Sequence, residues 1–167
     1  MITRKKLQVA FAVAMLAAAT ASAADQPAGN LSDEAKRGRY LVQITGCNDC
    51  HTAGYAESCG NVEESKWPTG DRLGWNGPWG TTYAANLRLT VKEMSVDQFL
   101  MLARSPLRPP MPWFNLRDMK NSDVKAIYAY LKHLGPAGEA APAYVPPDKL
   151  PVGPIVVFPE PPKKPGA

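Results

Sequence analysis

The chain has 167 residues, enough for one domain with appendages, and carries 19 Lys and Arg against 15 Asp and Glu. Without the three basic residues at its start, Arg4, Lys5 and Lys6, the balance is 16 to 15, about +1 with His neutral. The basic pI therefore gives no case for a nucleic-acid partner, which would need a basic stripe interleaved with aromatics.

Residues 1–23 read as an export signal: a basic start, an apolar Ala-rich run from Leu7 to Ala19, and a small-residue cleavage site at Ala21-Ser22-Ala23. This predicts a periplasmic protein with no membrane attachment after cleavage. The alternative is a membrane anchor left uncleaved and facing the periplasm, since Leu7 to Ala24 is nearly long enough to span a bilayer.

Ser32 suits a helix N-cap, with Asp33 and Glu34 placed for the helix dipole, and the helix should run to about Thr45. Gly38 inside it is costly unless another backbone comes close, so it marks a helix crossing. Directly after comes Cys47-Asn48-Asp49-Cys50-His51, a Cys-x-x-Cys-His motif of the kind that attaches haem c. Two thiols one helical turn apart can add to the two vinyl groups of a porphyrin, and the adjacent imidazole then ligates the iron. A thioredoxin-like redox pair would need a β-α-β setting, which the flanks lack. A zinc knuckle would need more ligands, and only Cys59 and His133 remain, too irregularly spaced. The predicted cofactor is thus one covalent haem c with its iron.

From Ala53 to Leu89 the text is rich in Gly, Trp and Asn without a sustained period, and reads as loop. A loop this long suits a domain in which a buried porphyrin replaces part of the core. Trp67, Trp75, Trp79 and Tyr83 are candidates for its aromatic wall, and an indole N–H, Trp79 among them, or the Asn86 amide for contact with a propionate. A second helix starts at the Ser95–Gln98 capping box, with Met94 and Phe99 as a hydrophobic staple. A third starts near Asn121 or Ser122, places Val124, Ile127, Tyr128, Leu131 and Leu134 on one stripe, and stops at Gly135-Pro136.

Between these helices, Arg108-Pro109-Pro110-Met111-Pro112-Trp113 offers a thioether held between prolines. Prolines fix φ and lower the entropy lost on ordering, which suits a weak Fe–S bond, so Met111 is the candidate sixth ligand. Met119 is its main rival; Met94, Met101 and His133 have structural explanations in their helices. Arg104, Arg108 and Arg117 flank this loop as a candidate basic rim. Residues 136–167 are Pro-rich and favour extended geometry, but the apolar Ile155-Val156-Val157-Phe158 run should dock on the body or on a partner. Cys59 is the odd thiol; burial as a small apolar residue is its default, and an intermolecular disulfide the sharper alternative.

Gly38-x-Tyr40, the Cys47–His51 motif, Pro110-Met111-Pro112-Trp113 and the run Asp123 to Leu131 together resemble a monohaem class I cytochrome c, over roughly Ser32 to Leu134. The chain is similar to periplasmic cytochromes c that accept electrons from bacterial dehydrogenases. The resemblance implies an all-α fold: three main helices and long loops wrapped around one covalent haem, here with a cytochrome domain over 31–135 and the extended Pro-rich tail. It implies Cys47 and Cys50 as the covalent attachments, His51 and Met111 as axial ligands, and a crossing of the first and last helices near Gly38 and Tyr128 or Tyr130. The expected role is single-electron transfer, not catalysis, between a dehydrogenase donor and an oxidase or another cytochrome as acceptor. Two alternatives stand beside it: an electron-transfer subunit fixed in a dehydrogenase complex, or a haem sensor or catalyst with an open iron site.

Overall fold

A computed structural model describes residues 30–159. Residues 1–29, which include the expected export signal, and residues 160–167 lie outside that range. The first helix, α1 (Asp33–Ile44), begins as expected, with Ser32 Oγ accepting from the Ala35 amide at 3.1 Å. It buries Ala35, Gly38, Leu41 and Val42, a helical stripe, against the last helix, α6 (Asn121–Leu134), which answers with Val124, Ala126, Ile127, Tyr130 and Leu131. Gly38 makes the crossing possible: a Cβ there would sit 1.9 Å from the Ala126 carbonyl oxygen and 2.8 Å from Tyr130 Cβ. Of the two aromatics expected near the crossing, Tyr130 is the one that meets it.

Tyr128 instead faces the capped helix α4 (Val96–Arg104), its ring centroid 5.8 Å from that of Phe99 and its hydroxyl donating to the Met94 carbonyl at 2.7 Å. The capping box of α4 forms from both sides, Ser95 with the Gln98 amide and Gln98 with the Ser95 amide. Three further helices are short: α2 (Cys47–His51), α3 (Leu87–Thr90) and α5 (Trp113–Asp118). The three long helices are those predicted from the sequence.

The all-α expectation needs correction in the 53–89 segment. It contains a hairpin, β1 (Gly74–Gly77) and β2 (Gly80–Tyr83), and the tail adds β3 (Ile155–Val157) to give the order β2-β1-β3. β3 runs parallel to β1, with Ile155 opposite Gly74 and Val157 opposite Asn76, and the flanking Phe158 amide donates to the Asn76 carbonyl at 2.8 Å. The docking of the 155–158 run on the body is thereby met. Phe158 packs against Trp79 and Trp75, with centroids 5.1 and 6.1 Å away. Those two indoles thus share a cluster with the tail.

Polar groups knit the helical layer to the loops. Arg39 of α1 grips Glu64 through two guanidinium nitrogens at 2.7–2.9 Å and lies over the Trp67 ring, while Tyr130 donates its hydroxyl to the same carboxylate at 2.7 Å. The Arg39 hydrogen bonds hold the Glu64 carboxyl below its ordinary 4.5 despite partial burial, and burial followed by the Glu64 contact pushes the Tyr130 phenol well up. Arg88, buried beneath the end of α6, donates to the carbonyls of Leu134, Gly135 and Ser65. Its charge meets the negative end of the helix, and burial lowers its pKa without a carboxylate partner.

Two outcomes follow from these contacts. Gly38→Ala places a methyl against a backbone carbonyl that cannot move aside, so the melting transition of the haem-loaded protein should drop by a stability loss of about 2 kcal/mol or more. Because Glu64 is more acidic folded than unfolded, its contribution is complete above the unfolded pKa and is lost as pH falls through the lowered folded value. Glu64→Gln should therefore show a flatter loss of stability in acid, measured as melting temperature against pH.

Candidate haem site

The site begins where α1 stops. Thr45 closes α1 with its hydroxyl on the Leu41 carbonyl at 2.8 Å, and Gly46, at φ 76, takes the left-handed turn that redirects the chain into α2. A three-residue spacing puts Cys47 and Cys50 on one side of that single turn. Both are half-buried free thiols, not joined to each other, and burial raises the pKa of each, aided at Cys50 by the charge of Asp49. Both are thus reduced, as thioether attachment requires.

His51 is buried at 8% exposure, and its Nδ1 lies 2.7 Å from the Ala85 carbonyl oxygen. A carbonyl can only accept, so Nδ1 carries the proton and Nε2 is left with a lone pair. Burial also lowers the pKa of the ring, which favours the neutral form. A neutral imidazole, oriented by an outer hydrogen bond and presenting Nε2, is the state that ligates iron. The donor set fits a haem held by Cys47, Cys50 and His51.

The backbone around His51 is locked. The Gly70 amide donates to the His51 carbonyl at 2.7 Å, and the Leu87 amide to the Pro68 carbonyl at 3.1 Å. Gly70, at φ 85, admits the 84–86 segment, because a Cβ would come within 2.8 Å of the Asn86 nitrogen. Asn48, inside the motif, is fully buried and accepts from the Thr52 hydroxyl at 2.9 Å, while its amide nitrogen has no partner.

Met111 is half-buried between the Arg108 carbonyl, which its amide meets at 3.3 Å, and α5, whose first amide donates to the Met111 carbonyl at 2.8 Å. The Thr82 hydroxyl donates to the Pro109 carbonyl at 2.7 Å. The Met111 loop and the His51 ring are therefore both tied to one short stretch, at Thr82 and at Ala85, which can lie at most about 11 Å apart. Met94 and Met119 pack onto the helical core, and Met101 is 64% exposed.

Other expected residues have different duties. Both amide hydrogens of Asn86 go to the tail, on the Ala137 and Glu139 carbonyls at 2.7 and 3.1 Å, and its oxygen caps α3. The Trp79 indole donates to the Trp75 carbonyl at 3.3 Å, and Trp67 to Val62 at 2.9 Å. Neither Trp79 nor Asn86 has an uncommitted N–H. Of the candidate basic rim, Arg104 is spent on the Leu116 and Met119 carbonyls, Arg117 is paired with Asp118, and Arg108 stacks on Tyr144. Cys59 is exposed, at φ 54, contrary to the expectation of burial. Among the described residues no group of three or more His, Cys, Asp and Glu could hold a metal, and no helix is long and apolar enough to cross a membrane.

Sequence reasoning missed Ala85, whose contribution is a backbone carbonyl and carries no residue-type signal, and Thr82, one threonine among several.

Residues 35–135 match the family model described as Cytochrome c. The chain is 32% identical over 135 residues to the cytochrome c subunit of alcohol dehydrogenase (quinone) from Gluconacetobacter polyoxogenes and from Komagataeibacter europaeus, covering 80% of this chain and 28% of theirs. The Gluconobacter oxydans (strain 621H) subunit is 26% identical over 139 residues, 75% of this chain and 26% of that one. The chain thus spans little more than a quarter of the length of these relatives. No solved structure matches it significantly. With its Cys47–His51 motif inside the matched span, the chain belongs to the cytochrome c family, electron carriers that bear covalent haem c with its iron.

Proposed function

We propose that this protein is a periplasmic electron carrier in which His51 and Met111 are the axial ligands of one haem c, attached through Cys47 and Cys50. The observation that carries the reading is the His51 Nδ1–Ala85 hydrogen bond at 2.7 Å, which fixes the tautomer that ligates through Nε2. Haem supplies a one-electron ferric–ferrous couple. The chain's own residues supply the rest. Cys47 and Cys50 of α2 would tether it, the Ala85 carbonyl orients the imidazole that would ligate it, and the Met111 thioether would supply the second ligand. Two ligands from the protein would leave no site for a substrate at the iron, which suits outer-sphere transfer over catalysis. Methionine, a neutral soft donor, raises the potential relative to a second histidine, as suits accepting electrons from a dehydrogenase.

The relatives are cytochrome c subunits of a quinone alcohol dehydrogenase, which supports a dehydrogenase as donor; the acceptor in this reading is an oxidase or another cytochrome. The sequence of residues 1–23, which reads as an export signal, supports a periplasmic setting for that exchange.

The test is spectroscopic. Protein produced with export and haem-maturation machinery should keep its pigment after boiling in detergent, and Cys47→Ala with Cys50→Ala should release it. Ferric wild type should show the weak long-wavelength sulfur-to-iron band and Met111→Ala should lose it, with carbon monoxide then binding the reduced protein readily. A Met111→Ala protein that keeps the band would exclude the His51/Met111 pair, whereas a wild type that lacks the band, or binds carbon monoxide readily when reduced, would favour an open iron.

A further inference from the structure

The Met111 loop lacks the apolar anchorage of the helices. Its residues Arg108, Pro109 and Pro112 are exposed, and Met111 does not join the helical core. It is held from two sides. On one, the Thr82 hydroxyl donates to the Pro109 carbonyl at 2.7 Å. On the other, the Arg108 guanidinium lies 4.2 Å from the ring centroid of Tyr144, a residue of the Pro-rich tail.

An arginine stacked on a mobile ring would hold little, but Tyr144 is fixed. Its hydroxyl donates to the Trp79 carbonyl at 2.7 Å. The next residue, Val145, exchanges both backbone hydrogen bonds with Thr81, at 2.7 and 3.0 Å. Gly80, at φ 93, leaves room for this approach, since a Cβ there would meet the Val145 carbonyl oxygen at 2.4 Å and the Tyr144 ring at 3.0 Å. Adjacent residues of β2 thus hold the tail through the Thr81 backbone and the loop through the Thr82 hydroxyl, and Tyr144 bridges the two.

We propose that Tyr144 and Val145 form a strap over the Arg108–Pro112 loop, making Tyr144 a positioning residue that holds Met111 at the iron. This rests on Met111 being the ligand. The tail then acts on the stability of the Fe–S bond and, through the fraction of protein in the methionine-ligated state, on the midpoint potential. A loop held in its ligating geometry gives up less freedom when the bond forms, and an outside ligand must open it first.

Imidazole is a suitable probe: it displaces the thioether from ferric protein, forming an Fe–N bond as the Fe–S bond breaks, with no change of oxidation state. In the haem-loaded full chain, Tyr144→Leu and Arg108→Gln should each tighten apparent imidazole binding about two- to fivefold, the range of one exposed cation–π contact. The double variant should add nothing to the larger single effect. Each single variant should also lower the midpoint potential. Tyr144→Phe, which keeps the ring and loses only the Trp79 bond, should fall between wild type and Tyr144→Leu. If Tyr144→Leu does not fold, Arg108→Gln probes the same contact from the loop side. Imidazole affinity and potential unchanged in the folded variants, with Met111→Ala still losing the sulfur band, would overturn the strap alone. Retention of that band in Met111→Ala would instead overturn the ligand assignment, and the strap with it.

Discussion

The rest of the molecule hangs on the crossing of α1 and α6 at Gly38. With no side chain there, the two backbones come closer than any other residue would permit, and the stripe of Ala35, Leu41 and Val42 interlocks with Val124, Ile127 and Leu131. The contact is central to the core, but its larger effect is directional. Once α1 is fixed, Thr45 and Gly46 end it abruptly, and the thiols and imidazole of α2 are delivered at a set angle from a rigid element. Sites supported in this way hold their geometry better than sites on loops.

The opposite side of the haem site is built differently. It has few apolar contacts and relies on hydrogen bonds between backbone segments far apart in sequence: 51 with 70, 68 with 87, 81 with 145. Arg88 and Arg104 extend this logic, each reaching several carbonyls at the ends of helices. A domain that surrounds a large planar cofactor has less side-chain core to offer, and main-chain pairing replaces it. The His51 ring and the Met111 loop converge on residues 82–85 because a hydrogen bond from each ends there.

What the sequence made legible were features with a local chemical signature. Ser32, the Ser95–Gln98 box and Gly135 mark helix ends, Gly38 marks the crossing, and the Cys47–His51 spacing marks the cofactor. The hairpin was not legible. Three of the eight strand residues are glycine, so no alternation appears, and Pro78 at the first loop position forces negative φ, which rules out the Gly-first and Asn-Gly turns that advertise a hairpin. Helices α3 and α5 are too short for a period to register. Arg88 and Glu64 look like ordinary surface charges; only the tertiary structure brings carbonyls to the one and Arg39 and Tyr130 to the other. Cys59 had no pattern around it, and the default of burial failed in a loop packed around Tyr55 and Trp67 in its place.

The parallel pairing of β3 with β1 joins positions 81 apart in the chain, yet only three residues on each strand take part. Closing so long a loop costs more entropy than a hairpin does, and the return is a few hydrogen bonds beside half-open valines and the Phe158 contact with Trp75 and Trp79. An opening confined to β3 would leave the contacts of α1 with α6 and the Cys47–His51 turn untouched. A breathing terminus of this kind lets an electron carrier loosen part of its surface while its cofactor stays covalently secured.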